Sequence, residues 1–378
     1  MNSVILRIED LSRAAEQTTS LLEGAKTAFL QQLSQAGACG TIRRGPRAET
    51  LDRFRLHQGL VGMAQSDPDV SPGQCYADGA NVRLADGETA WCCELVTQRD
   101  GVVIDPTAGN IPTKESRMLI QALNTQLGSK TRRWELGEAS RHLLIAHDPA
   151  LEGNALPSVN SPEWLIGRSW RRGLQKGTRN AALRELIEQA EELLEAHAIN
   201  RVRVDLGENP ANLIWLWGAG AAGAGGGAPG RTVRSGVVFS RSFPLKGLAR
   251  RIGLEWLEGP RTLQEEPLQR LNQAIQAKLQ TAEIIYVHLE VDTADPVERL
   301  CAMERIDQLV MKPLAQAVSE GQQRRLLAVI DGREGPVSFV AIGPDLPQQP
   351  IARLSAEAFA ESPLRFGDSA KLFAWLTG

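Results

Sequence analysis

The sequence predicts an α/β protein, a mostly parallel sheet with helices on both faces that carries an inserted smaller α+β domain. Three observations lead there. From about residue 205 strand-like and helix-like segments alternate to the C-terminus, the pattern that builds a parallel sheet covered on both faces. From about residue 71 the texture differs, with short strands and turns in place of that alternation. A chain of 378 residues also suits two domains, or one large domain with an insertion. The boundaries that follow are a core domain over 1–70 and 205–378 and an inserted domain over 71–204.

Residues 4–8 (VILRI) read as a short buried strand that ends at Glu9-Asp10. Residues 20–36 place Leu21, Leu22, Ala25, Phe29, Leu30 and Leu33 at helical spacing, and Gly37 and Gly40 then punctuate the chain. Residues 42–49 form a basic turn and 51–63 a second helix. In the middle region 81–84, 90–97 and 101–104 read as strands, with a hairpin turn at Asp86-Gly87. A helix over 114–127, a strand over 142–146, a Pro/Asn/Ser-rich loop over 149–162 and a long helix over 178–197 follow. Beyond 205 the strands are 213–216, 237–240, 284–289 and 326–330. The helices are 246–252, 266–280, 297–320 and 355–377, with Gly321 placed to cap the third.

Bulk properties exclude several classes. A net charge of −3 implies no general affinity for polyanions, and the Arg132-Arg133, Arg171-Arg172 and Arg250-Arg251 pairs read as solvated faces, so no nucleic-acid partner is expected. No apolar run reaches the roughly 18 residues of a membrane span, and the N-terminus lacks a basic region followed by a long apolar one. The five cysteines have no CxxC spacing, which suits buried thiols in a reducing compartment. A soluble cytoplasmic protein is the expectation.

Residues 218–223, GAGAAG, satisfy GxGxxG after a strand. No amphipathic helix follows to turn its N-terminus on a pyrophosphate, and no acid appears in the next strand, so a flexible loop is the preferred reading over a phosphate cradle. Carboxylates gather at strand ends: Glu9 and Asp10, then Glu290, Asp292 and Asp295, then Asp331. Two readings stay open for them, a hard-cation site at one edge of the sheet or caps for the following helices. His288 lies inside an apolar strand and reads first as a satisfied core histidine. His57 falls on a helix, His142 and His147 in the middle region, and no HxH or HxxxH pair exists. The chain is therefore short of histidine for a histidine-rich two-metal phosphoryl-transfer site.

Several segments together carry a family resemblance: DGVVIDPTAGNI at 100–111, PANLIWLWGAG at 210–220, LKGLARRIGLE at 245–255, VHLE at 287–290, MERIDQLVMKPL at 303–314, and the C-terminal LSAEAFAESPLRFGDSAKLFAWLTG. Over nearly its whole length the sequence resembles the archaeal-type 2,3-bisphosphoglycerate-independent phosphoglycerate mutases of the alkaline phosphatase superfamily. The resemblance implies an alkaline phosphatase-like core with an inserted domain. It also implies two metal ions (manganese, zinc or magnesium) held by aspartates and histidines, and a serine that takes a phosphoryl group from one hydroxyl of phosphoglycerate and returns it to the other.

Carried onto this sequence, the family's first Asp-Gly falls on Glu9-Asp10, and its nucleophile region on Glu49-Thr50-Leu51-Asp52, with Thr50 at the serine. The histidine-containing loop after the VHLE strand is shortened to VDTADP and keeps Asp292. The next Asp-His becomes Asp331-Gly332, and a later histidine segment is missing. Basic stretches that would hold phosphate read Ser71-Pro72-Gly73, Cys92-Cys93-Glu94 and Asp105-Pro106-Thr107-Ala108-Gly109, while Lys246 and Arg141 remain as substrate-binding candidates. The leading expectation is a mutase-fold protein with an eroded metal site, acting in binding or regulation. The alternative is an active mutase or related phosphoryl-transfer enzyme with Glu9, Asp292 and Asp331 as metal ligands and Thr50 as nucleophile. Such oxygen-rich coordination favours manganese or magnesium. A phosphorylated small molecule is the expected partner in either case. A third possibility is a structural protein whose exposed faces bind another chain.

Overall fold

A computed structural model describes residues 2–11, 20–43, 49–63, 70–147, 161–174, 178–223, 235–293, 295–320, 324–332 and 336–378, without the side chains of 49–52, 163–164 and 178–180. The chain opens with β1 (Asn2–Asp10), α1 (Leu21–Gly24), α2 (Ala28–Ala36), β2 (Ala38–Ile42) and α3 (Glu49–Leu60). Then come α4 (Pro72–Gly79), β3 (Thr89–Arg99), β4 (Val102–Asp105), α5 (Thr113–Leu127), β5 (Arg132–Glu138) and β6 (Arg141–Ala146). Three helices, α6 (Trp170–Gly173), α7 (Thr178–Glu195) and α8 (Ala198–Asp205), lead to β7 (Leu213–Ala221). Next are β8 (Gly236–Ser240), α9 (Phe243–Arg251), β9 (Glu255–Glu258), α10 (Glu265–Lys278), β10 (Ile284–Val291) and α11 (Pro296–Ile306). After a π turn (Asp307–Met311) the chain ends with α12 (Lys312–Glu320), β11 (Arg324–Asp331), β12 (Val337–Ile342), α13 (Ala356–Glu361), β13 (Leu364–Phe366) and α14 (Ser369–Thr377). These elements form two compact units. The first comprises Met1–Arg47, Asp52–Asp67 and Ala228–Gly378, and the second Ala48–Leu51 and Pro68–Gly227.

The first unit is built on an eight-stranded sheet in the order β13-β2-β12-β11-β1-β10-β8-β9. It is mostly parallel, as expected; β12 alone runs against its neighbours β11 and β2. The central strands are apolar on both sides of a period-two pattern, with a decisive difference between the faces. Leu6, Ile8, Val287, Leu289, Ala328 and Ile330 point into one core with Leu30, Leu271, Met303 and Leu314 from the covering helices. Burial of each such Leu, Ile, Val or Met side chain contributes about 1.5–3 kcal/mol. Arg7 and Glu9 alternate with them and so face the other way, and register puts His288 beside Arg7 and Asp331 beside Glu9 on that same face.

Several elements differ from their sequence expectation, each for a local reason. The helix expected over 20–36 is two, because Asp307 of the π turn accepts from the Phe29 and Leu30 amides (3.0 and 2.8 Å) and starts α2 afresh. The helix expected over 355–377 breaks at Ser362, which precedes Pro363 and is pushed out of the helical region to φ −58°, ψ 140°. β13 then fills the gap and pairs with β2. β2 itself was hidden by its glycine: a Cβ on Gly40 would lie 2.2 Å from the Leu364 carbonyl oxygen, so only glycine lets the two strands meet. The strand expected over 81–84 is a turn, closed by Asn81 at φ +61°. Gly321 and residues 149–160 lie outside the described residues.

The second unit is an antiparallel sheet in the order β4-β3-β6-β5, with β7 on the long strand β3 as well. Fully buried Trp91 and Trp215 belong to this sheet, and Leu119, Leu123, Leu183 and Ile187 of α5 and α7 are buried beside it in sequence order. The sequence boundary at 205 left 213–216 with the core domain, whereas β7 pairs from Leu213 to Ala221 with Thr89–Val96 of the second unit. The glycine run expected as a loop continues β7 through Ala221. A Cβ on Gly218 would meet Pro72, and one on Gly220 would lie 1.7 Å from Ser71 Oγ, so these glycines let α4 pack on the strand. Residues 224–230 of that run lie outside the described residues. All five cysteines are free, and four are buried. Among the described residues no helix is long and apolar enough to cross a membrane.

Candidate metal centre

The polar face of the central sheet is organised by the strand sequence LRIED at the end of β1. Arg7 is fully buried there. Its Nη2 donates to Asp331 Oδ2 at 2.6 Å and lies 3.3 Å from Glu9 Oε2, and its Nη1 donates to the Arg53 carbonyl oxygen at 3.2 Å. Burial opposes the charge on Arg7, but the two carboxylates outweigh it and hold the guanidinium protonated. Burial would also raise the Glu9 carboxyl; Arg7, Arg53 and the hydrogen bond to His288 together hold it well below the usual carboxylate range. Arg53 reaches Glu9 Oε1 from α3 at 3.1 Å. The neighbouring Asp10 points to the opposite face of the strand and pairs with Arg299 of α11.

Two imidazoles complete the cluster. His288 pairs in register with Arg7 on β1 and meets Ser240 at the end of β8 through its side chain. Its Nε2 is 2.9 Å from Glu9 Oε2, and its Nδ1 is 3.0 Å from Ser240 Oγ. His57 comes from α3; its Nδ1 is 2.7 Å from the Tyr286 hydroxyl, and its ring meets that of His288 edge-on at 4.6 Å between centroids. Burial, then Arg7 and His288, push the His57 imidazole well below its ordinary pKa, so it is neutral and its lone pair is available. Burial likewise pushes the Tyr286 phenol up, so it stays a neutral hydroxyl. One ligand atom each from Glu9, His57 and His288 lies within 4.8 Å of the others, the one group of three or more His, Cys, Asp or Glu among the described residues with such spacing.

The residues singled out from the sequence fall as follows. Glu9 sits in this group, and Asp331 joins it through Arg7. Asp292 follows the end of β10, half-buried, and is not a member of the group. Thr50 lies in the first turn of α3, and its side chain is outside the described residues. Lys246 is half-buried on α9 with Nζ 5.7 Å from the centre of the Phe243 ring. Arg141 opens β6 of the second unit, across the sheet from Glu94 and Glu138. Sequence reading passed over Arg7, Arg53, Tyr286 and Ser240, and placed His57 on a helix without giving it a role. The one signal available was the charge at Arg7 within VILRI, at the same strand parity as Glu9.

Known proteins resemble this chain as follows. The family model described as 2,3-bisphosphoglycerate-independent phosphoglycerate mutase matches residues 72–200. A 2,3-bisphosphoglycerate-independent phosphoglycerate mutase of Methanosarcina barkeri is 27% identical over 86% of this chain and 90% of its own. One of Methanothermobacter thermautotrophicus is 28% identical over 86% of this chain and 81% of its own. The chain is similar to these mutases along most of its length. Solved structures share its fold: a protein from Pyrococcus horikoshii superposes with a TM-score of 0.63 at 16% identity, covering 99% of this chain and 96% of that one. A cofactor-independent phosphoglycerate mutase from Thermoplasma acidophilum gives 0.54 at 21% identity with full coverage of both chains.

The mutase family implies two metal ions, and the residues on this face do not fit two. Both oxygens of Glu9 already meet cations or a histidine, and Asp331 is held by Arg7. A second dication beside Glu9 and Asp331 would stand against a buried guanidinium that cannot lose its proton. Arg7 thus supplies, from within the chain, positive charge where the two carboxylates face each other.

Proposed function

We propose that this chain is a phosphoglycerate mutase-family protein whose two-metal machinery for interconverting 3- and 2-phosphoglycerate has been lost, and that it acts by binding a phosphorylated small molecule. One observation carries the reading: Arg7, fully buried, bonds Asp331 and contacts Glu9. Phosphoryl transfer in this family's manner needs carboxylates free to hold metal against the transferring oxygens. Here the corresponding carboxylates neutralise an internal cation. Similarity to the mutases and the retained Lys246 support the ligand class.

Pure protein with manganese or magnesium and 3-phosphoglycerate is expected to show no conversion, while calorimetry detects a phosphorylated three-carbon acid whose affinity falls in Lys246→Ala. Conversion that disappears in Thr50→Ala would overturn the reading. It would favour a working enzyme of the glycolytic isomerase type, with Glu9, Asp292 and Asp331 as oxygen ligands and Thr50 as nucleophile. The acids surviving at the ends of β1, β10 and β11 favour that second reading.

A further inference from the structure

We propose that α8 of the second unit is a self-association face, on which a second copy of this chain lays its own α8 antiparallel to the first. The helix is turned inside out. Its inward stripe is polar: Asn200 Nδ2 donates to the Leu194 and Ala211 carbonyl oxygens at 2.8 and 2.9 Å. Arg203, buried, donates from Nη2 to the Ala108 carbonyl oxygen at 2.9 Å and pairs through Nη1 with Glu115 at 2.6 Å. The apolar side chains face water instead. Among the described residues five large apolar side chains are exposed, and three of them are Val202, Val204 and Leu206, the last at 70%. A surface helix ordinarily buries its apolar stripe, so this reversal marks a face that another surface covers.

Geometry and charge together identify the occupant. Residues four apart share a ridge on a helix, so Ala198, Val202 and Leu206 form one exposed ridge, with Arg201 and Asp205 on the exposed ridge beside it. Neither Arg201 nor Asp205 has an ion-pair partner among the described residues. Both stand against the helix dipole: Asp205 is the last residue of α8, at its negative end, and Arg201 lies towards the positive one. An antiparallel copy answers both. Its Arg201 meets Asp205, its Asp205 meets Arg201, and its reversed dipole favours each placement. Val202 and Leu206 then close on their counterparts around a two-fold axis, the self-complementary arrangement of an isologous dimer. The face is small. α8 has 8 residues, so its ridge runs only about 12 Å. Such a ridge covers well below the roughly 800 Å² that each partner buries in a stable dimer, so the dimer is weak, with a dissociation constant on the order of 0.1 mM.

Sedimentation equilibrium of the full chain over a concentration series tests this. At about 0.5 mM, several times that constant, most of the wild type is expected as dimer. Arg201→Asp and Asp205→Arg each set like charges together at both symmetric contacts and should weaken the dimer about tenfold or more. Arg201→Asp combined with Asp205→Arg restores opposite charges and should recover wild-type affinity to within about threefold. Val202→Asp, which places a carboxylate in the apolar ridge, should abolish the dimer. These side chains are exposed, so the variants should keep the fold. A wild type that stays monomeric at that concentration overturns the proposal, and so does a dimer that withstands Val202→Asp or either single swap. A double swap as weak as the single ones rejects the antiparallel pairing and the proposal with it. Hydrogen exchange supplies a check without any variant: amide protection over residues 198–206 should rise with wild-type concentration. A dimer that leaves this protection unchanged has its interface elsewhere, and the proposal fails.

Discussion

Arg7 stands two residues before Glu9 on β1, with its guanidinium against both Glu9 and Asp331. Removing it leaves two buried carboxylates short of their partner, so Arg7→Ala should destabilise the first unit by about 3–5 kcal/mol in denaturant unfolding at neutral pH. An undiminished midpoint would show the pair to be dispensable. The same cluster sets a pH dependence. Folded His57 has its pKa held well below 6.5, so between 6.5 and that value the unfolded state binds a proton that the folded state refuses. Stability is therefore complete above about pH 6.5 and falls as pH drops below it, by up to about 1.4 kcal/mol per pH unit for the group. His142, pushed down to about 3 by burial, acts with the same sign in the second unit. Glu9, held low, adds stability present above its unfolded value of about 4.5 and lost only as pH falls further. His57→Gln should flatten the first unit's stability between pH 6.5 and 5 and leave the steeper loss below 4.5. Of these groups only Glu9 and Asp331 stood out in the sequence. Acids at strand ends are visible as such, whereas His57 and His288 lie 231 residues apart and meet only through the packing of α3 on the sheet.

Strand and helix alternation was readable wherever one periodic pattern filled an element, as in α5, α7, α10 and β10. It failed where an interaction distant in sequence set the boundary. The break before α2 depends on Asp307, some 280 residues away, whose carboxylate caps the helix that no local side chain caps. Burial raises the Asp307 carboxyl, and the two amide bonds oppose that rise. Asp307→Ala should cost about 1–2 kcal/mol, the loss of a helix cap, and speed hydrogen exchange at the Phe29 and Leu30 amides. Asp307→Asn keeps an acceptor and should lose less. Equal protection at those amides in wild type and Asp307→Ala would remove the cap from the account of α2. β2 and β7 were obscured for a related reason: glycines read as breaks are positions where another backbone or helix comes close, and closeness is not visible along one strand.

The first unit is discontinuous, since β1 pairs with β10 and β11 across an excursion of about 160 residues that forms the second unit. An unfolded excursion of that length costs about 4–5 kcal/mol in closure entropy before the central sheet can form. The second unit removes most of this by bringing its own ends together. Ser71 and Gln74 at its start pack on Gly220, Gln74 Nε2 bonds the Ala221 carbonyl oxygen, and Thr89 pairs with Ala221 in the β3–β7 ladder. Trp91, Trp170 and Trp215 lie in its own elements and are fully buried. A fragment spanning residues 68–227 should therefore unfold cooperatively on its own, followed by the fluorescence of those tryptophans. Gly220→Val, which drives a side chain into Ser71, should destabilise the fragment and slow refolding of the full chain, because the central sheet then has to close across an open excursion. A fragment with no cooperative transition, or a full-length Gly220→Val variant that refolds as fast as the wild type, would mean that the sheet of the first unit assembles before the inserted one.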